Sequence, residues 1–437
     1  MTKEELKAKV YAAIDANAEK IIDIGETIWK NPEPGYREFK TAELTAKIFK
    51  SLNLPTREKL GITGVRADMT FSEDAPVISI LGEMDSLILP THPECDPETG
   101  AVHSCGHNAS MAGMLGAAIG IAAAGVDKEL SGKIAFVAVP AEECIEIEKR
   151  LDMISEGKIA SLGGKGELIR QGVFDDVDLS IMLHSGGCYA YGTHNGFITK
   201  KVTFKGFSCH AAAPGGGINA LHAMTLAQNA VGLLRERWAG MNHTVRIHGI
   251  VTSGGDVVNI IPDKCKMEFL VRADKIETLK VLHKEFDRAM CGAAMAVGAG
   301  VEIKTIPGYM PQYDDNELEE LYCETCKAVD PETPNRGSFF RCSSTDMGDL
   351  STIMPTLHGY TAGATGTSHG VSYKISDKER AYVTNAKILA GIAVDLLYGN
   401  AECAKRIAAK RDGKLSVKEY IELADSLNAT VTREVDK

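Results

Sequence analysis

An α/β fold carrying an inserted second domain is predicted by three features of the sequence. Short β-branched runs alternate with amphipathic helical segments through the first half, the texture then switches to strand–helix–strand–strand–helix–strand, and the α/β pattern resumes afterwards. At 437 residues the chain exceeds what one ordinary hydrophobic core serves, so two domains are expected. The boundaries fall at 1–195 and 307–437 for a discontinuous first domain and 196–306 for the insert.

Leu6, Val10, Ile14, Ile21, Ile24 and Ile28 recur at helical spacing, predicting one long helix over 3–31. Asn31-Pro32-Glu33-Pro34-Gly35 ends it, because proline cannot continue a helix. A second helix is expected over Thr41–Leu52, then strands over Val65–Met69 and Val77–Leu81. The small residues of Ala109–Gly125 suit a helix packed closely on a sheet, and Lys133–Val139 and Val177–Leu183 read as buried strands. Strands alternating with helices predict a mainly parallel central sheet flanked by helices. In the insert, strands are expected over Gly196–Lys205, Thr244–Thr252, Lys264–Ala273 and Val301–Ile306, with helices over Asn219–Glu236 and Lys275–Val297. That βαββαβ order is ferredoxin-like. The charged segment from Glu402 onward reads as helical.

The net charge of −11 argues against nucleic acid or an anionic membrane as the main partner. The N-terminus has no apolar stretch of signal-peptide type, and Met111–Gly125 is too short to span a bilayer. Eleven cysteines without regular spacing fit reduced thiols in a cytoplasm better than a disulfide framework. Cys323-Glu324-Thr325-Cys326 stands alone and reads as incidental.

In doubly wound sheets ligands gather beyond the carboxyl ends of strands. Asp85, Glu142, Glu143 and His184 all fall at such predicted ends. Cys105 and His107 share a Gly-containing loop before a helix, from which a thiolate and an imidazole can grip one divalent ion. His369 lies in a Gly/Thr/Ser loop with little apolar neighbourhood. Each residue has an ordinary structural alternative: a solvated Glu pair, a core histidine, a surface loop. Their conjunction points to a metal-activated hydrolase.

Several ordered motifs carry a family resemblance. They are Gly82-Glu83-Met84-Asp85, His103-Ser104-Cys105-Gly106-His107-Asn108, Ala141-Glu142-Glu143, Gly172-Val173-Phe174-Asp175, Lys205-Gly206 with His210-Ala211-Ala212, and Ser344-Thr345-Asp346-Met347-Gly348-Asp349. The chain resembles the amidohydrolase branch of the aminoacylase and glutamate-carboxypeptidase metallopeptidases, particularly the p-aminobenzoyl-glutamate hydrolase type and its dipeptidase-like relatives. The resemblance implies a zinc-peptidase-like catalytic domain with a lid and dimerisation domain inserted. It implies two divalent ions, zinc foremost and manganese or cobalt as alternatives, held by Cys105, His107, Glu143, His184 and His369. It further implies Glu142 as general base, Asp85 as the residue orienting a ligand, and His210 as oxyanion stabiliser, often from a partner subunit. Asn259 and Arg272 would hold a substrate carboxylate. The implied reaction is hydrolysis of the amide in an N-acyl or aminobenzoyl amino acid or a dipeptide, by a homodimer joined through the lid. A dipeptidase or aminopeptidase, and a non-catalytic subunit retaining the fold, are the alternatives.

The chain departs from that pattern in places. Asn108 stands where many relatives have Asp, Ser185-Gly186-Gly187 follows His184, Cys144 follows the Glu pair, and Cys209 precedes His210. The longest departure is Cys144–Gln171, whose charges are expected either to be solvated or to line the pocket and narrow substrate choice.

Overall fold

The computed structural model describes residues 1–239 and 244–436. Two compact units are present: Met1–Thr193 with Tyr313–Phe340 and Asp349–Val417, and His194–Gln312 with Arg341–Gly348 and Lys418–Lys437.

The first unit is built on an eight-stranded sheet in the order Thr56–Leu60, Gly64–Thr70, Lys133–Val139, Val77–Glu83, Leu179–Ser185, Thr356–Thr361, Tyr189–His194, Asn335–Arg341. The four central strands, from Lys133–Val139 to Thr356–Thr361, run parallel. Gly64–Thr70 and Thr56–Leu60 close one side antiparallel. Being covered on both faces, the central strands are apolar almost throughout, as Ile134–Val139 illustrates.

Behind them lies the helix His107–Ala124, buried on nearly every side. It packs against helices Lys3–Ala16, Ala18–Trp29 and Asn385–Leu397 and against strand Val77–Glu83. Its glycines make that approach possible. A Cβ on Gly120 would sit 2.1 Å from Ile14 Cγ1, and one on Gly113 would sit 2.4 Å from Asn385 Cγ.

The expected 3–31 helix is two helices, Lys3–Ala16 and Ala18–Trp29, parted at Asn17, whose φ of −110° and ψ of 12° leave the helical region. The Asn17 amide instead donates to Ala13 O at 2.8 Å, a local bond that competes with helix continuation. Thr356–Thr361 has no apolar run to announce it, yet it is buried along its whole length. Among the described residues no helix is long and apolar enough to cross a membrane.

The second unit is a five-stranded sheet in the order Arg246–Ser253, Lys264–Ala273, Gly196–Lys205, Gly300–Pro307, Ala429–Arg433, antiparallel at every pairing. Helices Ala220–Arg237 and Ile276–Met295 cover the face to which Lys264–Ala273 turns every second side chain. The chain end is not wholly helical as its charge suggests. Ala429-Thr430-Val431-Thr432-Arg433 alternates, and it pairs with Gly300–Pro307 as an edge strand.

Candidate metal centre

The first unit brings six of the expected site residues, and Asp85 beside them, to the carboxyl ends of its parallel strands. Gly106, at φ 86°, turns the chain from Cys105 into the helix that begins at His107. Only glycine fits there. A Cβ would lie 1.9 Å from Ser185 Oγ and 2.1 Å from the Tyr373 hydroxyl, and positive φ is unfavourable for any other residue.

Each histidine is held so that one nitrogen faces inward. His107 Nδ1 lies 2.9 Å from Asp85 O and 3.1 Å from Asp85 Oδ1, so it donates there and leaves the Nε2 lone pair free. His184 Nδ1 donates to Ser185 O at 2.9 Å, which sets its Nε2 3.2 Å from Cys105 Sγ. His369 Nε2 lies 3.3 Å from the same sulfur and 3.2 Å from Glu143 Oε1. Donor atoms of Cys105, His107 and His184 lie within 4.8 Å of one another, as do those of Cys105, Glu143 and His369. The two groups share Cys105, whose thiolate would serve both.

A third group joins Glu83, His107 and Glu142. His107 Nε2 is 3.2 Å from Glu83 Oε2 and 3.8 Å from Glu142 Oε2. Among the described residues Glu83 Oε2 and His107 Nε2 are buried without a hydrogen-bond partner. Buried polar atoms are rarely left so, and converging lone pairs of sulfur, nitrogen and carboxylate oxygen are what a divalent cation satisfies. The residues fit a metal.

Electrostatics centre on the thiolate. Burial by itself would raise the Cys105 thiol, but His184 and His107 outweigh it and hold it well below its ordinary value. Burial would likewise lower His107 and His184, yet Cys105 raises both. Hydrogen bonds to Cys105 and Glu143 lift His369 to about 11. Burial, followed by the Cys105 charge, lifts Glu143 to about 7. Asp85 stays below its ordinary value because the His107 hydrogen bond and charge overcome its burial. Its other oxygen accepts from Glu143 N at 2.8 Å, tying the Glu pair to His107.

Asn108 is turned elsewhere: its amide donates to the Tyr382 hydroxyl at 3.0 Å and Gly25 O at 3.3 Å, so its role is to join helices. Sequence reasoning missed four polar residues of this region. Lys165, fully buried, donates to Glu83 Oε1 at 2.6 Å. Glu38 accepts from Ala141 N, and Arg150 donates to carbonyls of the Glu142–Glu143 turn. Only the acidic Glu83 two places before Asp85 offered a sequence signal.

His210, Asn259 and Arg272 belong to the second unit. His210 follows strand Gly196–Lys205 and is exposed, with Nδ1 accepting from Ala212 N at 3.0 Å, so its Nε2 carries the proton. Asn259 adjoins it through Ala211 N to Asn259 O, 2.9 Å. Arg272 stacks over Phe197 at 5.3 Å and donates to Ser344 Oγ at 2.6 Å. His210 pairs with Ile260, just before strand Lys264–Ala273, and along it Lys264 and Arg272 are eight steps of ~3.4 Å apart, roughly 27 Å.

Fold and site define a metal-dependent hydrolase of carbon–nitrogen bonds with places for two divalent ions. Residues 192–293 match the peptidase dimerisation domain M20_dimer. The chain is 28% identical over 419 residues to a Xaa-Arg dipeptidase of Mus musculus, covering 90% of each. It is 29% identical over 329 residues to one of the subunits of p-aminobenzoyl-glutamate hydrolase of Escherichia coli, covering 70% of this chain and 63% of that one. In fold it is similar to a dinuclear metal binding M20-family peptidase of Bacillus subtilis, with a TM-score of 0.68, 20% identity, and coverage of 88% and 99%. The chain is thus a relative of the M20 metallopeptidases, and the resemblance read from its motifs is borne out.

Proposed function

We propose that this chain hydrolyses the amide bond of a dipeptide or N-acyl amino acid bearing a free carboxylate. The observation that carries the reading is the pair of donor groups meeting at Cys105 with Glu142 beside them. Cys105, His107, Glu143, His184 and His369 would hold two ions, and the mixture of thiolate, imidazole and carboxylate favours zinc. When bound, the ions supply Lewis acidity at the scissile carbonyl and bring the pKa of the attacking water to ~7. Glu142 takes the proton from that water at its carboxylate and passes it to the departing amine nitrogen. Asp85 keeps His107 in the tautomer that presents Nε2. The match along 90% of a dipeptidase favours dipeptides over aminobenzoyl conjugates.

His210 donates from Nε2 to the developing oxyanion, while Asn259 and Arg272 bind the carboxylate. One small substrate cannot span roughly 27 Å of sheet, so a site that uses groups from both ends of it takes them from two copies of the chain. The dimerisation-domain match supports such a homodimer. Eleven cysteines, none joined in a disulfide among the described residues, support a reducing, cytoplasmic setting.

The test combines metal analysis with a library of dipeptides, N-acyl amino acids and p-aminobenzoyl-glutamate. We expect two equivalents of metal and hydrolysis that Glu142→Gln lowers by roughly 10²–10⁴ while metal content stays. Mixing inactive Glu142→Gln with inactive His210→Ala should restore up to about a quarter of wild-type activity through mixed dimers. Metal-free protein unaffected by Glu142→Gln would overturn the reading.

A further inference from the structure

The catalytic glutamates follow a residue in an uncomfortable conformation. Ala141 has φ 52°, in the left-handed region that costs a non-glycine residue about 1 kcal/mol or more. The twist sends Glu142 and Glu143 in the directions the site needs, and something must hold it. From one side Glu38 Oε1 accepts from Ala141 N at 2.8 Å, with Glu38 Oε2 itself fixed by the Thr63 hydroxyl at 2.6 Å.

From the other side comes Arg150, on the helix Ile147–Ser155 of the long segment after the Glu pair. Its neighbours Glu148 and Lys149 are exposed, but Arg150 is only 2% exposed. Nη2 donates to Glu143 O at 2.6 Å, and Nη1 donates to Leu162 O at 2.7 Å and Ala141 O at 3.4 Å. The guanidinium lies over the Tyr36 ring at 5.3 Å. Gly35 makes room for it: a Cβ there would stand 2.5 Å from Nη2 and 2.9 Å from Ala141 Cα. Glu143 is therefore gripped at both ends of its backbone, by Asp85 at N–H and by Arg150 at C=O.

We propose that Arg150 is a positioning residue. The inserted segment delivers a buried guanidinium beneath the Ala141–Glu142–Glu143 turn, fixing the aim of the general base and of the metal-binding carboxylate. This rests on the roles given to Glu142 and Glu143 above. A planar fork reaches several carbonyls while stacked on a ring, which an ammonium cannot do. With its guanidinium spent on backbone, Arg150 recognises no substrate.

The experiment compares wild type with Arg150→Lys and Arg150→Ala. It measures zinc affinity by chelator competition, kcat and KM on the best library substrate, melting of the metal-free protein, and rescue of Arg150→Ala by guanidinium ion. We expect zinc affinity and kcat each to fall roughly 10–100-fold, KM to change less than about threefold, and guanidinium but not ammonium to restore part of both. Arg150→Lys guards against an Arg150→Ala protein that fails to fold. Unchanged zinc affinity and kcat per folded molecule, with melting alone lowered, would make Arg150 merely structural and overturn the proposal. A raised KM with altered substrate ranking and unchanged kcat would overturn it too. Zinc affinity is read without turnover, so an affinity loss in a chain that hydrolyses nothing would defeat the proposed function and leave this inference standing.

Discussion

Among the described residues each unit of the chain buries one lysine completely, and the surroundings of the two lysines differ in kind. Lys200, in the second unit, donates to His283 Nδ1 at 2.6 Å, Asp287 Oδ1 at 2.6 Å and Thr305 Oγ1 at 2.7 Å. Its three protons meet three acceptors, and the cluster is closed. Burial still lowers it, to about 8, against the pull of Asp287. Lys165, in the first unit, donates to one oxygen of Glu83 at 2.6 Å, and the other oxygen faces His107 Nε2 at 3.2 Å without a hydrogen bond. Buried charge is therefore common to both units and marks no function by itself. The unsatisfied atoms of Glu83 and His107 are what distinguish the surroundings of Lys165 from those of Lys200, because they leave lone pairs for a cation.

The comparison can be broken most severely at Cys105. It belongs to both donor groups that include a thiolate, so Cys105→Ala should lose both ions and at least roughly 10³ in kcat/KM, checked by metal analysis and assay. A variant retaining two tightly held ions would mean that the groups do not share the sulfur.

The lysines come next. Lys200→Met leaves Asp287 buried without its cation and should cost about 3–5 kcal/mol, equally with and without metal. Lys165→Met should cost a similar amount in metal-free protein, because Glu83 loses its counter-charge. Added zinc should narrow that deficit and leave the Lys200→Met deficit unchanged, measured by denaturant melts on each form. Equal behaviour of the two variants would erase the distinction.

Glu38 gives the smallest effect. Burial, then the charge of Asp85, lifts its carboxyl to about 7 from an ordinary 4.5, so the fold favours its protonated form. The associated stability is fully present below pH 4.5 and is lost as pH rises through 7. Glu38→Gln keeps an acceptor for Ala141 N and removes the titration. Its stability between pH 5 and 8 should accordingly fall less than that of wild type, by a difference of order 2 kcal/mol.

What could be read from the linear chain follows from periodicity and local chemistry. Val77–Leu81, Lys133–Val139 and the run before His184 are apolar and bounded, so their burial and the placing of the candidate donors at their ends were legible. The break at Asn17 was not, since one residue leaving helical φ and ψ does not disturb the spacing of the isoleucines around it. Nor was Thr356–Thr361, whose burial depends on inserting between two other strands.

The sequence by itself determined the alternation of strands and helices, the inserted βαββαβ unit, and the order of the thiol, imidazole and carboxylate groups that the fold brings together. These are local signals, carried by spacing and side-chain chemistry. Tertiary structure alone decided which polar residues are partners. Lys165 finds Glu83, Glu38 reaches Ala141, and Arg150 turns from its charged helix onto the carbonyls of the Ala141–Glu143 turn. In sequence each looks like a solvated charge. Burial makes an unpaired charge costly, so the fold must supply each with a partner, and that partner lies on an element distant in the chain or across a turn that spacing does not reveal.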